Sequence, residues 1–245
     1  MNSAPDPTQR FGARAEAYSR ARPGYPPELV AELTQDLGLA PGAQIVDIGC
    51  GTGISSELFL RAGFPAIGVE PNEAMRAHVS GLSSRYPGFH AVDGRAEATT
   101  LPDACADLAI AAQAFHWFDV AATRQEALRI LRRPARAALI WNDRRTQGSA
   151  FSRGYEELLL EFGTDYRETA HRHTLEERID AFFGHSQWRK RLYPHATPLD
   201  FETLAARLNS ASYVPAPQDP RHAPMMAKLR ELFAATQDEI GRAHV

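Results

Sequence analysis

The residues with the clearest chemical potential are three closely spaced glycines and an acid that follows them. Gly49, Gly51 and Gly53 come directly after the apolar run Ile45–Ile48, and Glu70 stands 19 positions after Gly51. Glycines let the backbone turn sharply and approach a ligand closely. The first turn of a helix beyond them offers unpaired N–H groups to an anion. A carboxylate at this spacing can accept both hydroxyls of a ribose, so the pattern predicts a nucleotide-type site.

The elements around the glycines predict the first crossover of a nucleotide-binding α/β domain. Ile45–Ile48 is typical of a buried parallel strand, and Ser55–Ala62 is typical of an amphipathic helix. The dinucleotide fingerprint G-x-G-x-x-G would place its third glycine at position 54, where this chain has Ile54. The glycine comes one residue early, at Gly53, which disfavours a nicotinamide oxidoreductase. A glycine-rich turn in an unrelated α/β protein is the remaining alternative.

Asp47 and the glycines together carry a family resemblance. The run from Asp47 to Gly53 resembles the first motif of the class I S-adenosylmethionine-dependent methyltransferases. Two further stretches, from Phe11 to Pro26 and from Gln113 to Asp119, resemble one branch of that class. This branch (methyltransferase type 11) includes trans-aconitate methyltransferase-like and quinone-biosynthesis-like enzymes. The resemblance spans Phe11 to about Gly241 and implies a doubly wound, Rossmann-like α/β fold with a mostly parallel sheet.

The resemblance also implies S-adenosyl-L-methionine as the cofactor and a set of residues that bind it. Glu70 is expected at the ribose and Met75 against the adenine, although a helix methionine is more often part of a core. Arg95 stands where the family often has the acid that reads the adenine edge. Either Glu97 replaces that acid, or the contact is made by the main chain alone. The implied cofactor residues are Asp47, Gly49, Cys50, Gly51, Gly53, Glu70, Pro71, Met75, Ala96, Glu97, Gln113 and Ala114.

The motif Phe115-His-Trp-Phe118 is the candidate border of the methyl-acceptor pocket. Ligands of doubly wound sheets bind at the carboxyl ends of the strands where the strand order reverses, so the first and fourth strands are expected to meet there. The alternative for this motif is a hydrophobic cluster that fills the space beneath a loop. The alternative for Tyr18 is an aromatic side chain that packs on one side of its helix. The pocket residues that the resemblance implies are Phe11, Tyr18, Arg22, Phe115, Trp117, Trp141 and Tyr213.

The expected reaction is an in-line displacement of a methyl group in a dry pocket. A carboxylate acceptor is already ionised and needs no base, whereas a hydroxyl needs one, and His116 is then the catalytic candidate. We therefore expect O-methylation of a small-molecule carboxylate or hydroxyl. The alternative is a regulatory or interaction protein that binds the cofactor on the same fold without turnover. The identity of the acceptor and the choice among O-, C- and N-methylation stay open.

The chain order predicts one methyltransferase domain over residues 1–245. Its expected parts are N-terminal lid helices (1–40), the cofactor-binding core (41–147), a helical insertion (148–187) and a C-terminal part (188–245). A helix is expected from Leu199 to Ser210 and a last one from Pro224 to Ile240. The predicted strands are Ile45–Ile48, Ala66–Glu70, Phe89–Asp93, Ala106–Ala112, Ala135–Trp141 and Trp188–His195.

The segment after the last predicted helix suggests an unusual end to the sheet. Methyltransferases of this class usually finish with a seventh, antiparallel strand, and a strand commonly needs about 5–6 residues. Here Gly241 is followed only by the residues up to Val245. The seventh strand is therefore predicted to be missing or reduced to a stub.

The composition indicates which binding partners and which cellular compartment to expect. The net charge of −3 favours no nucleic acid or acidic membrane as a partner. Two cysteines, Cys50 and Cys105, make no disulfide framework, and no residue set with metal-ligand spacing is present. The polar N-terminus lacks the apolar core of a signal peptide. These features predict a cytoplasmic enzyme without a metal, and they do not specify an oligomeric state.

Overall fold

Five parallel strands form the sheet of the computed structural model, which describes residues 23–144, 146–164, 166, 172–194, 199–211 and 213–236. The strands are β1 (Ile45–Ile48), β2 (Ala66–Val69), β3 (Phe89–Val92), β4 (Leu108–Ala112) and β5 (Ala137–Ile140). Their order is β3-β2-β1-β4-β5, and every neighbouring pair is parallel. The bounds of β1 are as predicted, β2, β3 and β4 are one or two residues shorter at one end, and β5 is shorter at both ends.

Three predicted helix caps are present in the structure. Gly38, with a φ of 59°, ends the first described helix in a left-handed C-cap. The side chains of Asn72 and Asp119 each accept an N–H of the helix that follows. None of the described helices has the length and apolar character needed to cross a membrane. The helices are α1 (Glu28–Leu37), α2 (Ile54–Arg61), α3 (Glu73–Arg85), α4 (Val120–Ile130), α5 (Ala150–Phe162), α6 (Arg172–Phe183), α7 (Phe201–Ser210) and α8 (His222–Ala235).

Helices cover both faces of the sheet. Successive strand side chains point to opposite faces, so Ile45 packs in one cluster with Phe59 of α2, whereas Val46 packs in another cluster with Ile130 of α4. Phe59, Ile45, Val46 and Ile130 are fully buried. A parallel sheet with helices on both faces is the doubly wound, Rossmann-like fold that the sequence predicts, and this prediction is confirmed.

The described residues group into two compact units. The first comprises 24–141 and 175–193, which contain the sheet, α1 to α4 and most of α6. The second comprises Pro23 and the described parts of 142–174 and 194–236. Its helices α5, α7 and α8 bury Leu158, Leu208 and Leu229 in a core of their own. The predicted insertion is helical where it is described, but α6 groups with the first unit and α5 with the second. The division of the chain into a lid, core, insertion and C-terminal part stays a prediction.

The predicted sixth strand is wrong for residues 188–194, which contain no strand. Polar side chains hold this segment instead. The indole N–H of Trp188 donates to the Asp180 carboxylate over 2.7 Å, and Arg191 forms a 2.6 Å ion pair with Asp36 of α1. The arginines pair with side chains of α1, and no backbone ladder forms. His195 lies outside the described residues.

β5 is the last strand of the sheet among the described residues. Among the described residues, no antiparallel strand lies beside β5. Residues 237–245, where the seventh strand was predicted to be missing or reduced, lie outside the described ranges.

Candidate functional site

The turn after β1 and the segment after β4 lie at the same edge of the sheet. β1 and β4 are direct neighbours, with Ile45 opposite Leu108 and Asp47 opposite Ile110. From β1 the strand order runs through β2 to β3 on one side and through β4 to β5 on the other. The prediction that the first and fourth strands meet where the order reverses is therefore confirmed. This is the position at which doubly wound sheets bind ligands.

The glycine turn, residues 49–53, has the backbone that its sequence predicts. Gly49, Gly51 and Gly53 have φ values of 71°, 56° and 84°, a region that side-chain-bearing residues rarely adopt. A Cβ on Gly49 would lie only 2.8 Å from the Cβ of Ala114 and 3.4 Å from the ring of Phe118. Glycine at this position therefore lets the turn pack directly against the segment that follows β4.

Gly51 differs from its two neighbours because it borders open space. A Cβ placed there would meet no protein atom within 4 Å. Close by, Asp47 Oδ1 and Thr52 Oγ1 are buried, and neither atom has a hydrogen-bond partner among the described residues. Buried polar atoms without partners are rare in folded proteins. An open backbone cradle beside two such atoms fits the binding of a polar cofactor.

The Asp47 carboxyl group lies fully buried beneath the turn. Its Oδ2 accepts hydrogen bonds from the hydroxyls of Ser55 (2.6 Å) and Ser56 (2.7 Å) in the first turn of α2. Loss of hydration raises the pKa of Asp47 to about 6, although the two serine hydroxyls lower it. Asp47 is thus held in one orientation by α2.

Glu70 follows β2 and reaches across to the glycine turn. Its Oε2 accepts the N–H of Gly51 and its Oε1 accepts the N–H of Asn72, each over 3.0 Å. Burial raises its pKa, while the two backbone donors lower it. A carboxylate oxygen has room for about two hydrogen bonds, so each oxygen keeps one position for a further donor. Two such positions match the two hydroxyls of a ribose, as the resemblance implies.

Arg76 is hydrogen-bonded to the backbone of Glu70, and the sequence did not predict this role. Its guanidinium donates to the backbone carbonyl of Glu70 over 2.7 Å and pairs with Asp93 over 3.1 Å. It therefore joins the end of β2 to the turn after β3. The only sequence signal was a basic residue in the first turns of a helix that follows an acid-terminated strand.

The turn after β3 uses its acid differently from the expectation. Glu97 Oε1 accepts the backbone N–H of Asp119 over 2.9 Å, so this carboxylate caps the chain before α4. Ala96 is buried. Glu97 thus has a structural partner on one oxygen, and the choice between Glu97 and the main chain at the adenine edge stays a prediction.

Three other implied cofactor residues belong partly to the core. Met75 is 4% exposed and Cys50 is 5% exposed, while Pro71 is half-buried. Burial raises the pKa of the Cys50 thiol, as expected for a small packed side chain and not for a nucleophile. A Cβ on Gly68 of β2 would lie 2.7 Å from Cys50 Sγ, so Cys50 packs against the neighbouring strand.

Residues 113–119, here called the post-β4 segment, expose an imidazole and an indole as well as the carboxylate of Asp119. Gln113 has a φ of 56° and donates its N–H to the carbonyl of Ile140 over 2.9 Å. A 3₁₀ turn follows from Phe115 to Trp117. His116 and Trp117 are both exposed, and their rings lie 4.7 Å apart. The segment thus places an imidazole and an indole at the sheet edge that carries the glycine turn.

Phe115 does not line a pocket surface. Its ring is fully buried and makes edge-on contacts with Phe118, Trp141 and Phe182 at centroid distances of 5.4–6.2 Å. Phe115 therefore fits the alternative of a hydrophobic cluster, because its whole ring is buried beneath the loop. Trp141 is half-buried beside it.

Of the remaining predicted pocket residues, the structure describes Tyr213 and not Phe11, Tyr18 or Arg22. Tyr213 belongs to the second unit, where its ring lies 5.1 Å from that of Tyr166. Phe11, Tyr18 and Arg22 lie outside the described residues. In the part of the chain that the structure describes, no group of histidine, cysteine or acidic side chains could hold a metal ion.

Comparisons with known proteins agree on one family. A family model described as a methyltransferase domain matches residues 46–139. An uncharacterized methyltransferase of Mycobacterium tuberculosis is 32% identical over 192 residues, covering 78% of this chain and 74% of that protein. Malonyl-[acyl-carrier protein] O-methyltransferase of Serratia marcescens is 30% identical over 141 residues, covering 54% of this chain and 53% of that protein. A solved structure from Anabaena variabilis, described as a methyltransferase from an antibiotic biosynthesis pathway, has a TM-score of 0.64 at 23% identity, covering 92% of this chain and 94% of that one.

The chain therefore belongs to the class I S-adenosylmethionine-dependent methyltransferases, within the methyltransferase domain family. It is a methyltransferase enzyme, and S-adenosyl-L-methionine is its cofactor. Its placement in the trans-aconitate-like and quinone-biosynthesis-like branch stays a prediction.

Gly51 gives a direct test of the cofactor cradle. Gly51→Ala should weaken binding of S-adenosylhomocysteine about tenfold or more, because the new methyl group enters the open space, and steric overpacking costs about 1–3 kcal/mol. Gly38→Ala is the matched control, since Gly38 has a φ of 59° and also has no atom within 4 Å of its Cβ position. Both variants should lose similar stability, but only Gly51→Ala should lose affinity in calorimetric titration. Equal affinities in the two variants would rule out the cradle at Gly51.

Proposed function

We propose that this enzyme methylates an oxygen atom of a small-molecule acceptor, a carboxylate or a hydroxyl. The observation that carries the proposal is the exposed His116 and Trp117 pair on the post-β4 segment, which packs against the glycine turn through Ala114. A basic imidazole beside an aromatic ring, at the ligand-binding edge of the sheet, suits an acceptor whose proton must be removed. The O-methyltransferase of Serratia marcescens among the relatives supports transfer to oxygen.

The cofactor side of the proposal assigns a role to each polar group of the turn. Glu70 accepts the ribose hydroxyls, and Gly51 lets the backbone lie close to the cofactor. The carboxylate of Asp47, fixed by Ser55 and Ser56, faces the cationic part of the cofactor. When bound, S-adenosyl-L-methionine supplies a methyl group activated by a sulfonium.

The acceptor side depends on the chemistry of the acceptor. For a hydroxyl, His116 accepts the proton as the oxygen attacks, so it acts as a general base. For a carboxylate, no proton is removed, and His116 and Trp117 only bind and orient the acceptor. The aromatic face of Trp117 also stabilises a nearby cation and excludes water.

A turnover screen tests the proposal. The protein is incubated with S-adenosyl-L-methionine and a panel of small carboxylic acids, phenols, primary amines and carbon nucleophiles, and release of S-adenosylhomocysteine is measured. We expect turnover with one of the two oxygen classes. Methylation confined to amines or carbon nucleophiles would contradict O-transfer. Tight binding of S-adenosylhomocysteine, with no turnover of any panel member, would also contradict the proposed acceptor class.

A further inference from the structure

We propose that Arg178 of α6 is a positioning residue that holds the post-β4 segment against the glycine turn. This inference rests on the proposed function, because that segment carries His116 and Trp117. Arg178 does not contact the cofactor cradle. It acts through the backbone of the segment.

The contacts of Arg178 converge on two carbonyls that flank the exposed pair. Its Nη2 donates to the carbonyl of Phe118 over 2.6 Å and to that of Phe115 over 3.4 Å. Its guanidinium carbon lies 5.7 Å from the centre of the Phe115 ring. The charged donor thus holds the backbone on both sides of His116 and Trp117, and such charge-assisted bonds are roughly twice as strong as neutral ones.

The backbone that Arg178 holds is a short 3₁₀ turn. The 3₁₀ turn contains two backbone hydrogen bonds, from Trp117 to Ala114 (2.9 Å) and from Phe118 to Phe115 (3.2 Å). Short 3₁₀ turns have poor hydrogen-bond geometry. Gln113 is bonded to β5 at one end of the segment, and Asp119 is bonded to Glu97 at the other. Arg178 holds the backbone between these two ends, at the carbonyls of Phe115 and Phe118.

Displacement of the segment would reach the glycine turn directly. The Phe118 ring and the Ala114 methyl group occupy the space in which a Cβ on Gly49 would lie. A shift of the Phe118 backbone would therefore change the wall beside the cofactor turn as well as the direction of the imidazole. Errors of about 1 Å in placing a reacting group can cost up to about a hundredfold in rate.

A second arginine that contacts α6 provides a matched control. Arg124 of α4 donates from Nε to the carbonyl of Phe182 over 2.8 Å, which ties the same helix to the same core through a different carbonyl. Arg178→Met and Arg124→Met each remove one charged donor and keep an aliphatic side chain. Arg178→Lys keeps a cation but replaces the planar group by a point charge.

The experiment compares these variants with the best oxygen acceptor of the turnover screen. Arg178→Met should lower kcat about tenfold or more, with affinity for S-adenosylhomocysteine changed by less than about threefold. Arg178→Lys should recover part of kcat, and Arg124→Met should keep it while losing similar thermal stability. Equal losses of kcat in Arg178→Met and Arg124→Met, or full activity in Arg178→Met, would overturn the inference.

Amide hydrogen exchange separates this inference from the proposed function. Exchange in the peptide covering residues 113–119 should accelerate in Arg178→Met and stay unchanged in Arg124→Met, whether or not an oxygen acceptor is found. Unchanged exchange in Arg178→Met would overturn the positioning role. Faster exchange without any turnover on oxygen acceptors would support the positioning role and reject the proposed acceptor class.

Discussion

His116→Ala should slow methylation of a phenolic acceptor by about a hundredfold or more, because a positioned general base contributes about 10²–10⁴ in rate. Affinity for S-adenosylhomocysteine should change little, since the mutation removes a group on the acceptor side. With a carboxylate acceptor the loss should be much smaller, because no proton has to be removed. Steady-state kinetics with both acceptor classes would measure the difference.

An exposed histidine away from the site provides the control for His116. His78 lies on the solvent side of α3, so His78→Ala should leave both rates unchanged. Full activity of His116→Ala on a phenol would eliminate the base role. An equal loss on phenols and carboxylates would assign His116 to binding alone.

Glu70→Ala should weaken binding of S-adenosylhomocysteine by about 1.5–3 kcal/mol, the range for hydrogen bonds to a charged group. The same substitution leaves the N–H groups of Gly51 and Asn72 without their acceptors, so the free protein should also become less stable. Calorimetric titration and thermal unfolding measure the two effects separately.

Glu57 of α2 provides the comparison for Glu70. Its side chain pairs with Arg61 and Arg85, each over 2.9 Å, and not with the N–H of Gly51. Glu57→Ala should lower stability slightly, as exposed ion pairs contribute about 0–1 kcal/mol, and it should leave affinity unchanged. Retained affinity in Glu70→Ala would refute the ribose assignment.

Local signals in the sequence predicted the strands of the sheet and the turn between β1 and α2. Strand runs with glycines at their ends, and caps such as Asn72 and Asp119, depend on neighbouring residues and can be read from the chain. The predicted strand at 188–194 failed because Arg191 pairs with Asp36, a partner far away in sequence, and the indole of Trp188 donates to Asp180. Pattern alone gives no sign of such pairing.

The site was predictable in part for the same reason. Gly51 and Glu70 stand at the spacing that the strand–helix–strand unit of nucleotide-binding folds sets, and the structure joins them by a hydrogen bond. Arg76 and Arg178 act through backbone carbonyls, which any donor of suitable reach can bind, so no motif marks them. Phe115 was misplaced because an aromatic residue beside a site and one beneath it have the same sequence pattern.

The buried carboxyl group of Asp47 lowers the conformational stability of the ligand-free enzyme at neutral pH. A folded-state pKa of about 6, above the ordinary value of 3.8, means that this group contributes most to stability below about pH 3.8. That contribution is lost as the pH rises through about 6, so near neutral pH the chain folds around a poorly hydrated negative charge. In the proposed complex a cationic ligand relieves this cost. The buried charge thus lowers the conformational stability of the enzyme, and the same charge is already in place when the ligand binds.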